Sequence, residues 1–145
     1  MKNEFLRHSV ATIDYRFAKV IEGQEAHFGE FSAGEGCRTT NQIINHMFEV
    51  LHATRVFIEE ERFIKDKAAE LGFSEECTRF QEELKQLDVS LSNNELPINF
   101  GKRLIQGPIS DIFTHIGQIS MMSRLNGKAI EGEDFSSAPI GTFGT

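Results

Sequence analysis

The chain has 145 residues, of which 39% are hydrophobic and 26% are charged, and its formal net charge is −7. This length predicts one domain, residues 1–145, with a core that needs no disulfide or metal to hold it. The acidic balance argues against nucleic-acid binding, because that affinity comes from clustered basic side chains. We find no apolar run long enough for a membrane span and no signal peptide, so we expect a cytoplasmic protein with no membrane partner.

Apolar side chains at spacings of three and four predict a first amphipathic helix from about Arg7 to Phe28. Its apolar stripe comprises Leu6, Val10, Ile13, Phe17, Val20 and Phe28. The glycine-rich segment 29–36 has the composition of a loop. We therefore expect one long helix, followed by a connection, ahead of residue 39.

A capping box predicts the start of the second helix at Thr39 or Thr40. Gln42 follows Thr39 at the spacing with which the two side chains bind each other's backbone N–H groups. We expect this helix to continue to about Leu71, where a glycine ends it. The charged stretch 59–67 is expected to be its solvated surface. The apolar face comprises Ile43, Met47, Val50, Leu51, Phe57 and Ile58.

Two further helices are predicted in the second half of the chain. Ser74 is expected to cap the third helix, which carries a narrow apolar seam. The seam comprises Cys77, Phe80, Leu84, Leu87 and Leu91. A connection over 92–107 leads to a fourth helix, which is expected to begin at Gly107-Pro108 and to end at Asn126-Gly127. The tail, from about residue 128 to residue 145, is expected to be irregular.

Four amphipathic helices without a convincing strand pattern predict an all-α protein, a four-helix bundle. Each helix is about 17–30 residues long and has an apolar face that must be buried against another helix. Because the connection between the third and fourth helices is long, these patterns do not determine the order in which the helices run up and down.

Histidines on apolar helical faces are the candidate chemical residues, because a polar ring there needs a partner. His46 lies at the edge of the second helix's apolar arc, and His52 points about 120° away from it, so the two cannot easily bind one ion. In the fourth helix, Asp111 and His115 meet over one turn. With His46 they would form a two-histidine, one-carboxylate metal site with open coordination positions. The pattern alone is weak, since an Asp–His pair of this kind is more often simply hydrogen bonded.

The fourth-helix segment from Asp111 to Gln118, with a Gly-Pro start before it and Arg124-Leu-Asn-Gly127 after it, resembles the last-helix signature of the DinB-like (YfiT-like) metalloenzyme family. The capped second helix, from Thr40 to His46, resembles the second helix of that family, and the order of elements is similar over roughly residues 5–130. The resemblance implies a four-helix bundle, commonly with up-down-down-up topology. It also implies a divalent metal held by His46, Asp111 and His115, with Gln118 available to hydrogen bond to one of these metal-binding side chains.

The same resemblance implies a metal-dependent enzyme, because the family includes thiol S-transferases that use low-molecular-weight thiols, isomerases and hydrolases. Homodimers are frequent in the family, so a homodimer acting on a small-molecule substrate is expected. Aspartate stands at position 111 where histidine is commoner, which leaves the metal open among zinc, nickel, iron and manganese. Ile116 stands where members often carry arginine, so a charge that would anchor an anionic substrate is missing.

The alternative function is a non-enzymatic bundle, a stress-related metal-binding or dimerisation module, since narrow apolar seams suit helix association. No general base is evident: Glu49 lies one turn from His46 but outside the apolar arc, and a surface role is expected for it. Two cysteines are too few for a disulfide scaffold; Cys37 has no visible histidine partner, and Cys77 belongs to the apolar seam. The metal site is expected to weaken on acidification, near about pH 6–6.5, where histidines protonate.

Overall fold

The computed structural model describes residues 2–143, and it consists of helices and irregular connections. The helices are α1 (Glu4–Ile21), α2 (Thr40–Glu60), α3 (Phe73–Asn93), α4 (Ile98–Leu104) and α5 (Ser110–Leu125). A five-residue π-helical turn, Ile105–Ile109, joins α4 to α5, so these three pieces form one continuous fourth rod. Short 3-10 turns lie at Ala26–Glu30 and Phe135–Ser137. Residues 2–143 contain no strand, which confirms the predicted all-α class.

The core is built from the apolar stripes that the sequence predicts on α1 and α3. The side chains of Phe17 and Phe80 are fully buried, and their ring centroids are 4.6 Å apart. The other members of both stripes are also buried, because each stripe follows the 3.6-residue period of its helix. Across the bundle, α1 packs against α3 and α5, and α2 packs against the same two helices. The gap between α2 and α5 is therefore where residues of the second and fourth predicted helices meet.

The capping box of α2 forms as predicted. The Gln42 backbone N–H donates to Thr39 Oγ1 at 3.1 Å, and the Thr39 N–H donates to Gln42 Oε1 at 2.8 Å. The predicted end of this helix at Leu71 is wrong, because α2 ends at Glu60 and Glu61 takes the left-handed conformation with φ 55°. In the segment 62–72, the Ala68 and Leu71 N–H groups instead donate to Glu49 and Glu76, and the Ala69 carbonyl accepts from Asn45, so side chains of α2 and α3 satisfy part of its backbone.

Two other predicted boundaries also differ from the structure. The first helix ends at Ile21 rather than at Phe28, because Gly23 adopts φ 67°, a left-handed conformation that ends a helix. Phe28 is nevertheless fully buried, as part of the following 3-10 turn. At the start of α3 the cap is Gly72 rather than Ser74, and no side-chain cap bond forms.

The predicted start of the fourth helix at Gly107-Pro108 is wrong, because the rod already begins at Ile98 and includes residues 98–107 of the predicted connection. A proline inside an α-helix clashes with the carbonyl four residues before it. Here Pro108 lies in the wider π-helical turn, and the Ser110 hydroxyl donates to the Ile105 carbonyl at 2.5 Å. The predicted end at Asn126-Gly127 is confirmed, with Gly127 at φ 89°.

The segment after α5 is irregular up to residue 143, apart from one 3-10 turn, and it packs against α1. Glu133 accepts a hydrogen bond from the Tyr15 hydroxyl at 2.5 Å and forms an ion pair with Lys19 at 3.0 Å. Residues 144 and 145 of the predicted tail, and residue 1 of the predicted domain, lie outside the described residues. Within the described part of the chain, no helix combines the length and the apolar character needed to cross a membrane.

Candidate functional site

Two of the three predicted ligands meet between α2 and α5. The rings of His46 and His115 lie edge to face, with centroids 5.1 Å apart and an angle of 87° between their planes. Both rings are partly buried, and the His46 side chain keeps 35% of its surface exposed. Because one ring comes from each helix, the packing of α2 against α5 determines their separation. The helix periodicity alone cannot predict that packing.

The orientation of His115 is set by Gln118, the residue that the sequence singles out as a hydrogen-bonding neighbour. His115 Nδ1 lies 2.9 Å from Gln118 Oε1. An amide oxygen only accepts hydrogen bonds, so this contact favours the tautomer with the proton on Nδ1. In that tautomer the Nε2 lone pair of His115 is available for a cation or for a proton.

The third predicted ligand, Asp111, lies one helical turn before His115 and is exposed. It is close enough to His46 for its negative charge to act on the pKa of that ring. However, the structure of residues 2–143 contains no group of three or more His, Cys, Asp or Glu side chains already arranged around a metal position. The structure thus brings the two imidazoles together and leaves the carboxylate beside them.

The pKa of His46 is lowered from its ordinary value of 6.5, mainly because burial disfavours the charged ring. The positive charges of Arg38 and of a protonated His115 act in the same direction, and the carboxylates of Glu49 and Asp111 oppose them. His46 is therefore neutral at pH 7, the state in which an imidazole binds a metal or accepts a proton. Since the unfolded chain protonates first, this group reduces stability as the pH falls through 6.5 toward the lowered folded-state pKa.

An NMR titration of the His46 ring is expected to give a pKa below 6.5. Arg38→Gln is expected to raise that pKa, because it removes a positive charge that disfavours protonation. Arg124→Gln, which removes an exposed charge near the end of α5, serves as the matched control and is expected to leave the His46 midpoint unchanged. A His46 pKa above 6.5, or equal shifts in the two variants, would contradict this electrostatic account.

Glu49 has a role at the site that its helical angle does not predict. Its side chain is 27% exposed, and its Oε1 atom lies 4.0 Å from His46 Nδ1. Its other oxygen accepts a hydrogen bond from the Ala68 backbone N–H at 2.8 Å. Glu49 thereby connects the segment after α2 to the helix face that carries His46. The sequence signal for this role is the spacing of three residues between His46 and Glu49.

A cavity of about 410 Å³ opens beside His46, between α2 and residues 64–68. His52 also lines it, although its Nδ1 atom is engaged by Glu83 Oε1 on α3 at 2.9 Å. Glu83 is almost fully buried and also accepts a hydrogen bond from Arg55. His52 therefore interacts primarily with α3, as its angular separation from His46 predicts.

The two cysteines contribute nothing to this site. Cys77 is buried among the apolar side chains of α3, and burial raises the pKa of its thiol to about 12, which keeps it protonated. Cys37 is exposed in the loop before α2. The structure within residues 2–143 contains no disulfide, in agreement with the sequence.

Fold and site together define a class: a helical-bundle protein with a pair of facing histidines between its second helix and its last. Comparison with known proteins adds no narrower identity. No family model matches the chain, and no curated protein and no solved structure shows significant similarity to it.

Proposed function

We propose that this protein is a divalent-metal-dependent enzyme of the DinB-like type, with thiol S-transferase, isomerase or hydrolase chemistry on a small molecule. The observation that carries the proposal is the edge-to-face pair of His46 and His115, which two separate helices hold 5.1 Å apart. A neutral imidazole binds a metal ion through a ring nitrogen, and His46 is neutral at pH 7 because its pKa is lowered. Two such rings brought together from different helices are the donors that a shared cation would use.

The helix directions support the DinB-like topology, up-down-down-up, as part of this proposal. Asn45 bonds to Glu76, and His52 bonds to Glu83, so the contact advances by seven residues along both α2 and α3. That pattern is expected of helices that run in the same direction.

Contacts of α1 supply the two remaining directions. Arg7 contacts Asp88 and Phe17 contacts Phe80, so the contacts run in opposite senses along α1 and α3. Leu6 lies beside Gly101 near the start of α1, and Gln24, just after the end of α1, donates a hydrogen bond to Ser123, so these contacts advance together along α1 and the fourth rod. The first set is typical of antiparallel helices and the second of helices that run in parallel. Together with the α2–α3 contacts, these directions agree with the proposed order.

The residues present suit a divalent cation. His46 and His115 would bind it through ring nitrogens, and Asp111 would supply an anionic oxygen, a donor set that suits zinc, nickel, iron or manganese. When bound, such an ion would supply Lewis acidity that activates water or a thiol at an open position. Gln118 is hydrogen bonded to Nδ1 of His115, and this bond would hold the ring in an orientation that leaves Nε2 free to bind the ion.

The other residues of the site have positioning roles in this proposal. Glu49 holds residues 64–68 over the cavity beside His46, which limits the access of bulk water to one side of the pair. Because the pKa of His46 is lowered, this ring is neutral at pH 7 and can bind a metal. We therefore expect acidification to weaken metal binding through His46 only below the ordinary histidine range. Asp111 is exposed, so a cation that it helped to bind would be accessible to a substrate from solvent.

Metal binding by tag-free, metal-stripped protein tests the proposal directly. In competition with a chromophoric chelator, we expect one site per chain for at least one of Zn²⁺, Ni²⁺, Fe²⁺ and Mn²⁺. His46→Ala and His115→Ala are each expected to weaken binding by about 100-fold or more, because even outer partners of ligands contribute about 10–100-fold. Asp111→Asn is expected to have a smaller effect, and Gln118→Ala an effect of about tenfold.

His8→Ala is the matched control, since His8 is an exposed histidine on α1. It is expected to bind metal like the wild type, and circular dichroism establishes that each variant is folded. If wild-type protein binds none of the four ions, or if the His46 and His115 variants bind as tightly as the wild type, the metal site is wrong. A panel of thiol-transfer, ester-hydrolysis and isomerisation assays on the metal-loaded protein then tests for turnover.

The alternative proposal is a non-enzymatic metal-binding or dimerisation bundle, and exposed apolar side chains favour it. Phe5 and Ile98 are 85% and 77% exposed, and a dimer interface would bury side chains of this kind. Metal binding without turnover in the assay panel would favour this alternative, whereas a homodimer by light scattering is expected under both proposals. The cytoplasmic location and the low-molecular-weight thiol partner remain part of the first proposal.

A further inference from the structure

An apolar groove lies beside the histidine pair, between α2 and the fourth rod. Its volume is about 470 Å³, which is within the range of small-molecule sites. Asp111 lines one end of it, and Val50 and Ala53 line both this groove and the cavity beside His46. The groove therefore adjoins the cavity beside His46 and shares Val50 and Ala53 with it.

Three aromatic rings form much of the groove wall. Phe57 on α2 stacks against Phe100 on α4, with centroids 5.5 Å apart and planes 22° apart. Phe63, in the segment after α2, also packs against Phe57, with ring centroids 4.6 Å apart. Phe63 is 84% exposed, so most of its ring has no covering group among residues 2–143. A flat apolar group from a ligand would cover this exposed ring surface.

Arg103 is the cation of the groove. Its guanidinium makes no hydrogen bond or ion pair within the described part of the chain, whereas Arg55 and Arg79 are each paired with buried glutamates. Asp111 lines the same groove but is not within ion-pair distance of Arg103. A guanidinium beside apolar rings binds a planar carboxylate well, because two parallel N–H groups meet its two oxygens.

The π-helical turn forms part of the groove wall. Gly107 and Pro108 from that turn line the groove, and a Cβ atom at Gly107 would meet no atom within 4 Å outside the neighbouring helix backbone. A π-helical turn widens the helix locally, and such turns occur frequently at functional sites. The open space at Gly107 is thus a place where a larger residue would fill the groove without disturbing the core.

We propose that this groove binds a small molecule that carries both an aromatic ring and a carboxylate. The ring lies against Phe57, Phe63 and Phe100, and the carboxylate binds Arg103. The far end of the molecule extends past Asp111 toward His46 and His115. Its role as substrate rests on the proposed function, but the binding itself needs no metal, because Arg103 and the rings supply the contacts.

The test uses metal-free protein and matched probes. In ¹⁵N-resolved NMR titrations, 3-phenylpropionate is expected to bind about tenfold more tightly than 3-phenylpropan-1-ol, because only the acid makes a charged hydrogen bond to Arg103. Arg103→Gln is expected to reduce the affinity for the acid to that for the alcohol. Lys102→Gln, which removes the neighbouring cation on α4 outside the groove, is expected to leave both affinities unchanged.

A second pair of variants tests the groove itself. Gly107→Leu is expected to abolish binding of both probes, whereas Gly117→Leu, at another helical glycine with open space around it, is expected to leave it intact. Equal affinity for acid and alcohol, tighter binding of 3-phenylpropylamine, or equal effects of the Arg103 and Lys102 variants would overturn the proposal. So would a stable dimer whose dilution changes the Phe63 signals, because a second copy would then cover the groove.

The two proposals fail separately. Loss of probe binding in metal-free protein would overturn the groove assignment and leave the metal titrations of the histidine variants unaffected. Failure of metal binding would remove the metal-dependent function, while tight, Arg103-dependent binding of the acid would still support the groove as a ligand site.

Discussion

Phe17→Ala is expected to lower the free energy of unfolding by about 3–5 kcal/mol, the usual cost of removing a buried aromatic ring. Phe17 is fully buried on α1, and its ring packs against Phe80 on α3. The substitution removes apolar contacts between α1 and α3 and leaves a cavity that the surrounding side chains fill only partly. A domain of this size has a total stability of about 5–15 kcal/mol, so a large fraction of it would be lost.

Urea denaturation followed by circular dichroism measures this effect. We expect a lower midpoint with an unchanged slope, because the surface exposed on unfolding remains nearly the same. Phe5→Ala is the matched control, since Phe5 is on the same helix but is 85% exposed. It is expected to change stability by no more than about 0.5 kcal/mol. Similar effects for the two variants would mean that the α1–α3 core is not packed as described.

Glu76→Ala is expected to cost about 3 kcal/mol and to loosen the segment that covers the candidate site. Glu76 is 1% exposed, and its oxygens accept hydrogen bonds from Asn45, the Leu71 backbone N–H and Arg79. Removing one partner of a buried charge pair is costly, because the groups that remain have lost both water and their partner. The Leu71 N–H and the Arg79 guanidinium would be left in that state.

The local part of this prediction is measured by amide hydrogen exchange of residues 64–71, which is expected to become faster in Glu76→Ala than in the wild type. Glu76→Gln keeps an acceptor for the Leu71 N–H and is expected to have a smaller effect. Glu82→Ala removes a side chain that is 61% exposed and is expected to change stability by about 0.5 kcal/mol or less. Unchanged exchange in an otherwise destabilised Glu76→Ala protein would show that Glu76 does not anchor this segment.

The two halves of the candidate site differ in how far the sequence could predict them. Asp111 and His115 are four residues apart on one helix, so their proximity follows from helix geometry alone. The contact between His46 and His115 depends on which faces α2 and α5 present to each other, and many distant side chains decide that together. The contact of Glu49 also depends on tertiary structure. The sequence predicts a surface position for Glu49, because its partner, the Ala68 N–H, lies in a segment that the sequence predicts to be helical.

By itself, the sequence determined the local features: the all-helical class, the buried stripes of α1 and α3, the capping box at Thr39 and the end of the last helix at Gly127. Each of these features depends on residues within a few turns of each other, so helical periodicity and capping motifs are enough to predict it. Only the tertiary structure decided the end of α2 at Glu60, the start of the fourth rod at Ile98 and the meeting of His46 with His115. These features depend on hydrogen bonds and packing between segments far apart in the chain, which local patterns do not record.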